Sequence, residues 1–380
     1  MWFFTDEENE LKEVCKEFAR KELAPYAEKL DNQESFNLNA FKKMGELGLL
    51  GITASPEFGG AGLGCLAATI VMEEFGRACA SSTLSYLAHS ILCVNNIEHN
   101  ASQSQKEKFL PKLISGEHIG CMGMSEPEYG SDSLGIQTKA VNKGDHYLVN
   151  GAKMWITNAQ NADIGFVYTR TGPAKKDIST FIMEKSKEHF SVGKAIHKMG
   201  MRASPTGELI FENSKIPLEN RVGEENSSTY HMMKNLDIER ITISGISVGI
   251  AMECVKKCVK YAKERKQFGK PIAKYQMIQK MVSEMSAEAE MMRSYLYTAA
   301  KEYDLGKRKA ASAAKVKLAI PKMATKIALD AIQIHGGYGY SREFPVERMM
   351  RDNKLMEIGA GTNEIMVLII ARDLFKDSDS

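Results

Sequence analysis

The chain has no apolar run near the length of about 18 residues that a membrane-spanning helix needs. It has no C-x-x-C pair. Its seven cysteines stand apart at 15, 65, 79, 93, 121, 254 and 258. Cys254 and Cys258 share a helical face, yet no nearby histidine completes a metal set. An odd count without framework spacing fits a reducing compartment and thiols that act as small core fillers. Charge of one sign is also missing, since 50 basic against 48 acidic residues leave a net +2. No broad field recruits nucleic acid or a membrane surface. The short basic run Lys307-Arg308-Lys309 reads as a solvated helix end or loop. There is no Walker A loop, no H-E-x-x-H and no G-x-S-x-G, and the eight histidines are scattered. A metal site and a hydrolytic triad are therefore poorly supported. Gly62-Leu63-Gly64-Cys65-Leu66-Ala67 fits G-x-G-x-x-A, but no strand precedes it, which argues against a dinucleotide phosphate loop.

What is present is ordinary globular composition, 43% apolar and 26% charged over 380 residues, enough for two or three domains. The apolar start Trp2-Phe3-Phe4 is too short for a signal peptide and gives way to the acidic Thr5-Asp6-Glu7-Glu8, unlike a transit peptide. Thr5 with Glu8 forms a capping box, and Leu11, Val14 and Phe18 follow at helical spacing. Leu23-Ala24-Pro25 ends or kinks that helix. Further helices are predicted over 37–50, 65–78 and 104–115, completing an N-terminal all-α domain, 1–122.

From 123 to 225 the apolar runs become short and β-branched: Tyr147-Leu148-Val149, Trp155-Ile156-Thr157, Phe166-Val167-Tyr168, Thr180-Phe181-Ile182 and Leu209-Ile210-Phe211. Turn signals separate them, which predicts a middle, mostly antiparallel β domain. From 226 to 380 the helical period returns. Ile241, Gly245, Val248, Met252, Val255, Val259 and Ala262 form one stripe, and Ile278, Met281, Met285, Ala289, Met292 and Leu296 another. The order of helices, strands, helices is α+β and not an alternating doubly wound sheet. The segment Ile241–Met252 carries no charge on any face, so it reads as buried. Its Ser244, Gly245, Ser247 and Gly249 admit a close backbone or ligand, and Glu239 and Arg240 sit at its mouth.

Five motifs, in order, resemble those of the acyl-CoA dehydrogenase family, and the resemblance covers nearly the whole chain. They are Met124-Ser125-Glu126-Pro127 with Gly130-Ser131-Asp132; Asn150 to Asn158, containing Lys153-Met154-Trp155-Ile156-Thr157; Glu264-Arg265-Lys266-Gln267-Phe268-Gly269-Lys270; Gln333-Ile334-His335-Gly336-Gly337-Tyr338-Gly339; and Arg351-Asp352. The resemblance implies that fold, with a C-terminal four-helix bundle, and an FAD cofactor. Its cofactor-binding positions match Met124, Ser125, Ser131, Trp155, Thr157, Arg265, Phe268, Gln276, Gln333, Gly336, Gly337, Thr362 and Glu364. Ser125 and Thr157 bring hydroxyls to the flavin, Trp155 an apolar wall, and Arg265 a cation for the pyrophosphate. On chemistry alone, the hydroxyls equally suit buried backbone and Arg265 a surface ion pair. The motif at Arg265 reaches a neighbouring subunit's FAD in the family, so a homotetramer is implied. The implied partners are an acyl-CoA substrate and an electron-transferring flavoprotein.

Most of the family places the catalytic glutamate near the C-terminus, where this chain has Glu357-Ile358-Gly359-Ala360-Gly361-Thr362-Asn363-Glu364. Ala360 occupies that glutamate's position and cannot remove a proton. A minority branch, which includes isovaleryl-CoA dehydrogenase, supplies the base from the helix that opens the last domain, and Leu236-Asp237-Ile238-Glu239-Arg240 resembles that arrangement. Glu239 is thus the implied base, and the backbone N–H of Ala360 the implied donor to the thioester oxygen. A carboxylate beside an apolar pocket has its pKa raised into the working range. Glu239 as a dipole-stabilised or lysine-paired carboxylate remains the plain alternative, with Glu357 and Glu364 weaker candidates for the base. The implied substrate-binding residues are Ser131, Tyr86, Leu87, Ile91, Arg240, Gly359, Ala360 and Gly361. Loss of a glutamate at 360 widens the acyl pocket and favours a branched, isovaleryl-like group. Leu87 and Ile91 replace a smaller and a more polar residue of that branch, so a straight or cyclic short acyl group stays open. So do a flavin- and CoA-binding protein without turnover and an oxidase. The expected compartment is the cytoplasm or, for a mature chain, the mitochondrial matrix.

Overall fold

The computed structural model describes residues 4–186, 188–307 and 309–376. The apolar start at positions 2 and 3, and Arg308 of the basic run, lie outside them. The first helix, α1 (Asp6–Phe18), opens on the predicted capping box. Glu8 N donates to Thr5 Oγ1 at 3.2 Å, and Thr5 N donates to Glu8 Oε2 at 2.8 Å. Its buried residues are Cys15 and Phe18, whereas Val14 is 42% exposed. Leu11 packs against the core as predicted, and Cys15 takes the inward place expected of Val14. Pro25 kinks the chain without ending helical structure: a π turn (Ala19–Leu23) and a 3₁₀ turn lead into α2 (Ala27–Gln33). Helices α3 (Leu38–Glu46), α4 (Cys65–Ala78), α5 (Ala80–Leu87), α6 (Asn95–Asn100) and α7 (Gln103–Ile114) complete this layer. A π segment, Ala88–Val94, joins α5 to α6.

The G-x-G-x-x-A stretch has a structural role. Asp304, 239 residues further along than Cys65, accepts from the amides of Cys65 at 2.7 Å and Leu66 at 2.9 Å. A carboxylate at a helix N-terminus satisfies its orphan donors, so α4 has no vacancy for a phosphate there.

The middle sheet comprises β1 (Gly120–Gly123), β2 (Lys139–Asn142), β3 (His146–Thr157), β4 (Ile164–Arg170), β5 (Ile178–Glu184), β6 (Ser191–Val192), β7 (Thr206–Pro217) and β8 (Arg221–Val222). The order is β6-β7-β3-β2-β4-β5-β8, with β1 on β4. Pairing is antiparallel except for β1 and β2 against β4.

The 36-residue α8 (Thr229–Glu264) then runs through the molecule. A short ribbon, β9 (Lys266–Gln267) and β10 (Lys270–Pro271), leads to α9 (Gln276–Asp304) and α10 (Ala310–His335). The small helices α11 (Gly337–Tyr340) and α12 (Val346–Lys354) precede α13 (Asn363–Leu374). Every residue from Ile241 to Ala251 is buried. Its glycines admit the backbone of α4 rather than a ligand: a Cβ on Gly249 would sit 2.4 Å from the Glu73 carbonyl oxygen, and one on Gly245 2.8 Å from Met72 Cβ. The seven cysteines are all free and buried. Among the described residues no metal-holding cluster occurs, and no helix is long and apolar enough to cross a membrane.

Arg351 and Asp352 of the last motif join the layers. Arg351 donates to Asp31 at 2.9 and 3.2 Å and to the carbonyl of Met199 at 3.0 Å, and Asp352 accepts from Met201 N at 2.5 Å.

Candidate functional site

Three neighbourhoods gather the residues singled out in the sequence. The first is built on β3. Met154 N donates to the Ser125 carbonyl at 2.8 Å, which brings the Met124-Ser125 loop beside Trp155 and Thr157. A register shift lies between Lys153 and Ile156, where Trp155 has φ +65° and is 58% exposed. A bulky residue in the left-handed region, displayed at a bulge, is the kind of strain found at ligand sites. Beneath it Lys153, wholly buried, donates to Glu126 at 2.7 Å and to the Met124 carbonyl at 3.2 Å. Glu126 also accepts from the amides of Gln137 and Thr138. This pair locks the loop to the strand, though burial pulls the Lys153 ammonium down to about 8.

The second is a cleft of about 670 Å³ lined by Arg265, Gly336 and Gly337 together with Tyr261, His335 and Glu343. The fold thus joins Arg265 to Gly336, 71 positions further along the chain. Added Cβ atoms at Gly336 and Gly337 would meet nothing within 4 Å, so these backbones are open to close approach. Arg265 lies over the Tyr338 ring at 5.5 Å and has no ion pair among the described residues. An unpaired cation, accessible glycine backbone and aromatic rings suit a dinucleotide phosphate and its base. The displayed Trp155 suits the flavin end of FAD, and this cleft the phosphate and adenine end of a neighbouring copy's FAD. Phe268, Gln276 and Gln333 are exposed, Phe268 by 93%. Ser131 is also exposed, on the loop before β2.

The third surrounds Glu239. Helix α8 begins at Thr229, so Glu239 lies several turns inside it and is not a helix-start carboxylate. It is 6% exposed, and its Oε2 is buried without a hydrogen-bond partner. Burial pushes its carboxyl up to about 7, against the opposing pull of Arg240 and Lys317. Arg240 is itself held by Asp237 at 3.1 Å. Across from α8, the segment before α13 makes a tight turn with φ +56° at Ala360 and +91° at Gly361. Gly359 N is taken by the Leu355 carbonyl, and Thr362 Oγ1 accepts from Ile365 N as the cap of α13. The Ala360 N–H makes no backbone hydrogen bond among the described residues. Tyr86, Leu87 and Ile91 are fully buried in the same core cluster as Ile238 and Ile241, against which Ala360 also packs. Tyr86 donates to the Leu49 carbonyl, so its hydroxyl is occupied by the scaffold. Glu357 accepts from Thr325 and Lys354, and Glu364 is exposed.

Comparisons with known proteins fix the class. Family profiles described as acyl-CoA dehydrogenase N-terminal, middle and C-terminal domains match residues 5–117, 121–214 and 229–375. A mitochondrial isovaleryl-CoA dehydrogenase of Solanum tuberosum is 44% identical over 98% of this chain and 92% of its own length. Butyryl-CoA dehydrogenase from Megasphaera elsdenii superposes with a TM-score of 0.95 at 35% identity, over 98% of both chains. A chain solved in work on the electron transferring flavoprotein of Acidaminococcus fermentans gives a TM-score of 0.96 at 37% identity, over 99% of this chain and 100% of that one. The protein is a three-domain, FAD-dependent oxidoreductase. More narrowly, it belongs to the acyl-CoA dehydrogenase family.

Two elements of the site were not anticipated from the sequence. Lys317, on α10, is wholly buried and donates to the Gly361 carbonyl at 3.1 Å. The available signal was a lysine on the apolar stripe of Ala313, Ala314, Ile320 and Ala324. Tyr168 and His231 form a second group, with ring centroids 5.7 Å apart. The Tyr168 hydroxyl and both ring nitrogens of His231 are buried without partners. Nothing local marks them, since one lies on β4 and the other on α8.

Proposed function

We propose that this protein oxidises a short, branched acyl-CoA to the 2-enoyl-CoA, with Glu239 removing the α-proton. The observation that carries the reading is the buried, unpartnered Oε2 of Glu239, on a carboxyl poised at about 7. A general base works best when its pKa lies near the operating pH. The electron pair of the broken α C–H bond forms the new double bond as the β-hydrogen departs with its own pair. FAD, held by the Trp155 strand of one subunit and the Arg265 cleft of a neighbouring one, would supply the acceptor for that hydride. The unused N–H of Ala360 donates to the thioester oxygen, which acidifies the α-carbon. One such donor is typically worth about 3–4 kcal/mol of transition-state stabilisation. Arg240 and Ser131 lie on the CoA side in this reading.

A branched acyl group is supported by the small side chain at Ala360 and by the isovaleryl-CoA dehydrogenase relative. Leu87 and Ile91 bound the size of the group. Electrons leave to an electron-transferring flavoprotein. The exposed Phe268 and Met277, 93% and 81% accessible, and the outward Leu368 and Leu374 of α13 suit burial against further copies, in a homotetramer. Seven buried free thiols suit a reducing compartment, cytoplasm or mitochondrial matrix.

The test is an anaerobic titration of the FAD-loaded protein with isovaleryl-, isobutyryl-, butyryl- and glutaryl-CoA, following the flavin absorbance. Bleaching by the branched thioesters at the lowest concentrations is expected. Preference for butyryl-CoA would overturn the branched assignment, and no bleaching by any of them would overturn the dehydrogenation.

A further inference from the structure

A lysine on the apolar stripe of a buried helix is costly unless its charge has a use. Lys317 is 0% exposed, with Ala313, Ala314, Val316, Ile320, Pro321 and Ala324 buried around it on α10. Its hydrogen bond among the described residues goes to a main-chain carbonyl, Gly361 O, at 3.1 Å. That carbonyl belongs to the turn in which Ala360 and Gly361 both have positive φ. For alanine this conformation persists only when the surroundings impose it. Leu355 O holds the entry of the turn and the Thr362 cap its exit, so Lys317 supplies the restraint between them. The same ammonium is one of the two cations whose field acts on Glu239, the other being Arg240.

We propose that Lys317 is a positioning residue for the reaction: one ammonium holds the Gly361 carbonyl, and with it the Ala360 N–H donor, in register with Glu239, whose carboxylate the same charge favours. The inference rests on the dehydrogenation reading above. A neutral residue there would leave the turn free to relax, and a donor misplaced by about 1 Å loses much of its effect. The charge also matters for the acid. Burial raises Glu239, and removing a cation raises it further. Other groups coupled to the pair are Arg240 on α8, Tyr168 on β4, Glu357 in the turn after α12 and Glu364 on α13. Asp237 is engaged with Arg240, while Glu73 of α4 accepts from Arg77 of α4 and from Arg293 of α9.

The experiment compares the FAD-loaded full chain with its Lys317→Met, Lys317→Gln and Glu239→Gln variants. Single-turnover flavin reduction by isovaleryl-CoA and butyryl-CoA is followed across pH. Binding of the corresponding enoyl-CoA is read from the flavin spectrum. Lys317→Met should slow reduction by about a hundredfold, move the rising limb of the pH profile upward, and leave enoyl-CoA binding nearly unchanged. Lys317→Gln, which can still donate to Gly361 O, should recover part of the rate but keep the displaced limb. An unaltered rate and limb in Lys317→Met, with Glu239→Gln inert, would overturn this inference alone. Normal reduction by Glu239→Gln would instead overturn the reading beneath it. Should neither Lys317 variant retain FAD, the unaltered holoenzyme decides. Crystallised with an unreactive acyl-CoA analogue, it must show Lys317 on Gly361 O and the Ala360 N–H on the thioester oxygen. An ammonium turned away from Gly361 would refute the role.

Discussion

Replacing Glu239 by glutamine should abolish turnover while making the fold more stable in alkaline solution. Inside the protein this carboxyl titrates at about 7 against an ordinary 4.5. Below 4.5 both the folded and unfolded chains hold the proton, and the group contributes no pH dependence. Between 4.5 and 7 the folded chain keeps a proton that the unfolded chain has lost, so stability falls as pH rises. Above 7 the folded chain carries the buried charge in full. At about 1.4 kcal/mol per pH unit, the loss amounts to about 3 kcal/mol. Glutamine removes this term, because it does not titrate. The assay is thermal unfolding of matched FAD-loaded samples of both proteins at pH 5 and pH 8, with protein and FAD concentrations held fixed. The advantage of Glu239→Gln over the parent should grow by about 2–3 kcal/mol from the first condition to the second, since part of the loss is already present at pH 5. In the same samples, anaerobic flavin reduction should fall by about 10²–10⁴-fold. An advantage that is the same at both pH values would refute the buried-acid argument, whatever happened to the rate.

Lys153→Met should leave Glu126 as an uncompensated buried charge; a loss of about 3–5 kcal/mol, with weaker FAD retention, is expected in unfolding and gel-filtration measurements. Asp304→Ala removes the cap of α4 and should lower stability by about 1–2 kcal/mol with flavin reduction kept, as thermal melts and stopped-flow would show. Gly249→Ala drives a methyl group against the Glu73 carbonyl oxygen and should cost about 1–3 kcal/mol; a neutral result in denaturant titration would contradict the close α4–α8 contact.

Local chemistry made the start of α1 legible, since Thr5 and Glu8 declare the cap within four residues. The α+β order was legible for the same reason, because the period changes between Gly120 and Thr229. Residues 80–100 carry no clear helical signal in the sequence. Ser81, Ser82 and Thr83 are weak helix formers, and the π segment at Ala88–Val94 breaks the 3.6-residue repeat. Periodicity gives the spacing of a stripe but not its exact edge, so Val14 and Cys15 cannot be told apart from the pattern alone. The Asp304 cap and the Lys317–Gly361 bond join residues far apart in sequence, and no window along the chain contains both partners. The burial of Glu239 was legible for a different reason: the uncharged helix after residue 240 marks a buried surrounding.

The most direct measurement of the central claim follows the α-hydrogen itself. An acyl-CoA with oxygen in place of the β-carbon has no β-hydride to give, so in deuterated buffer the FAD-loaded protein can only exchange its α-hydrogens, and mass spectrometry counts them. Exchange by the parent that disappears in Glu239→Gln is the expected result. Exchange that persists undiminished in Glu239→Gln would show that another group takes the proton.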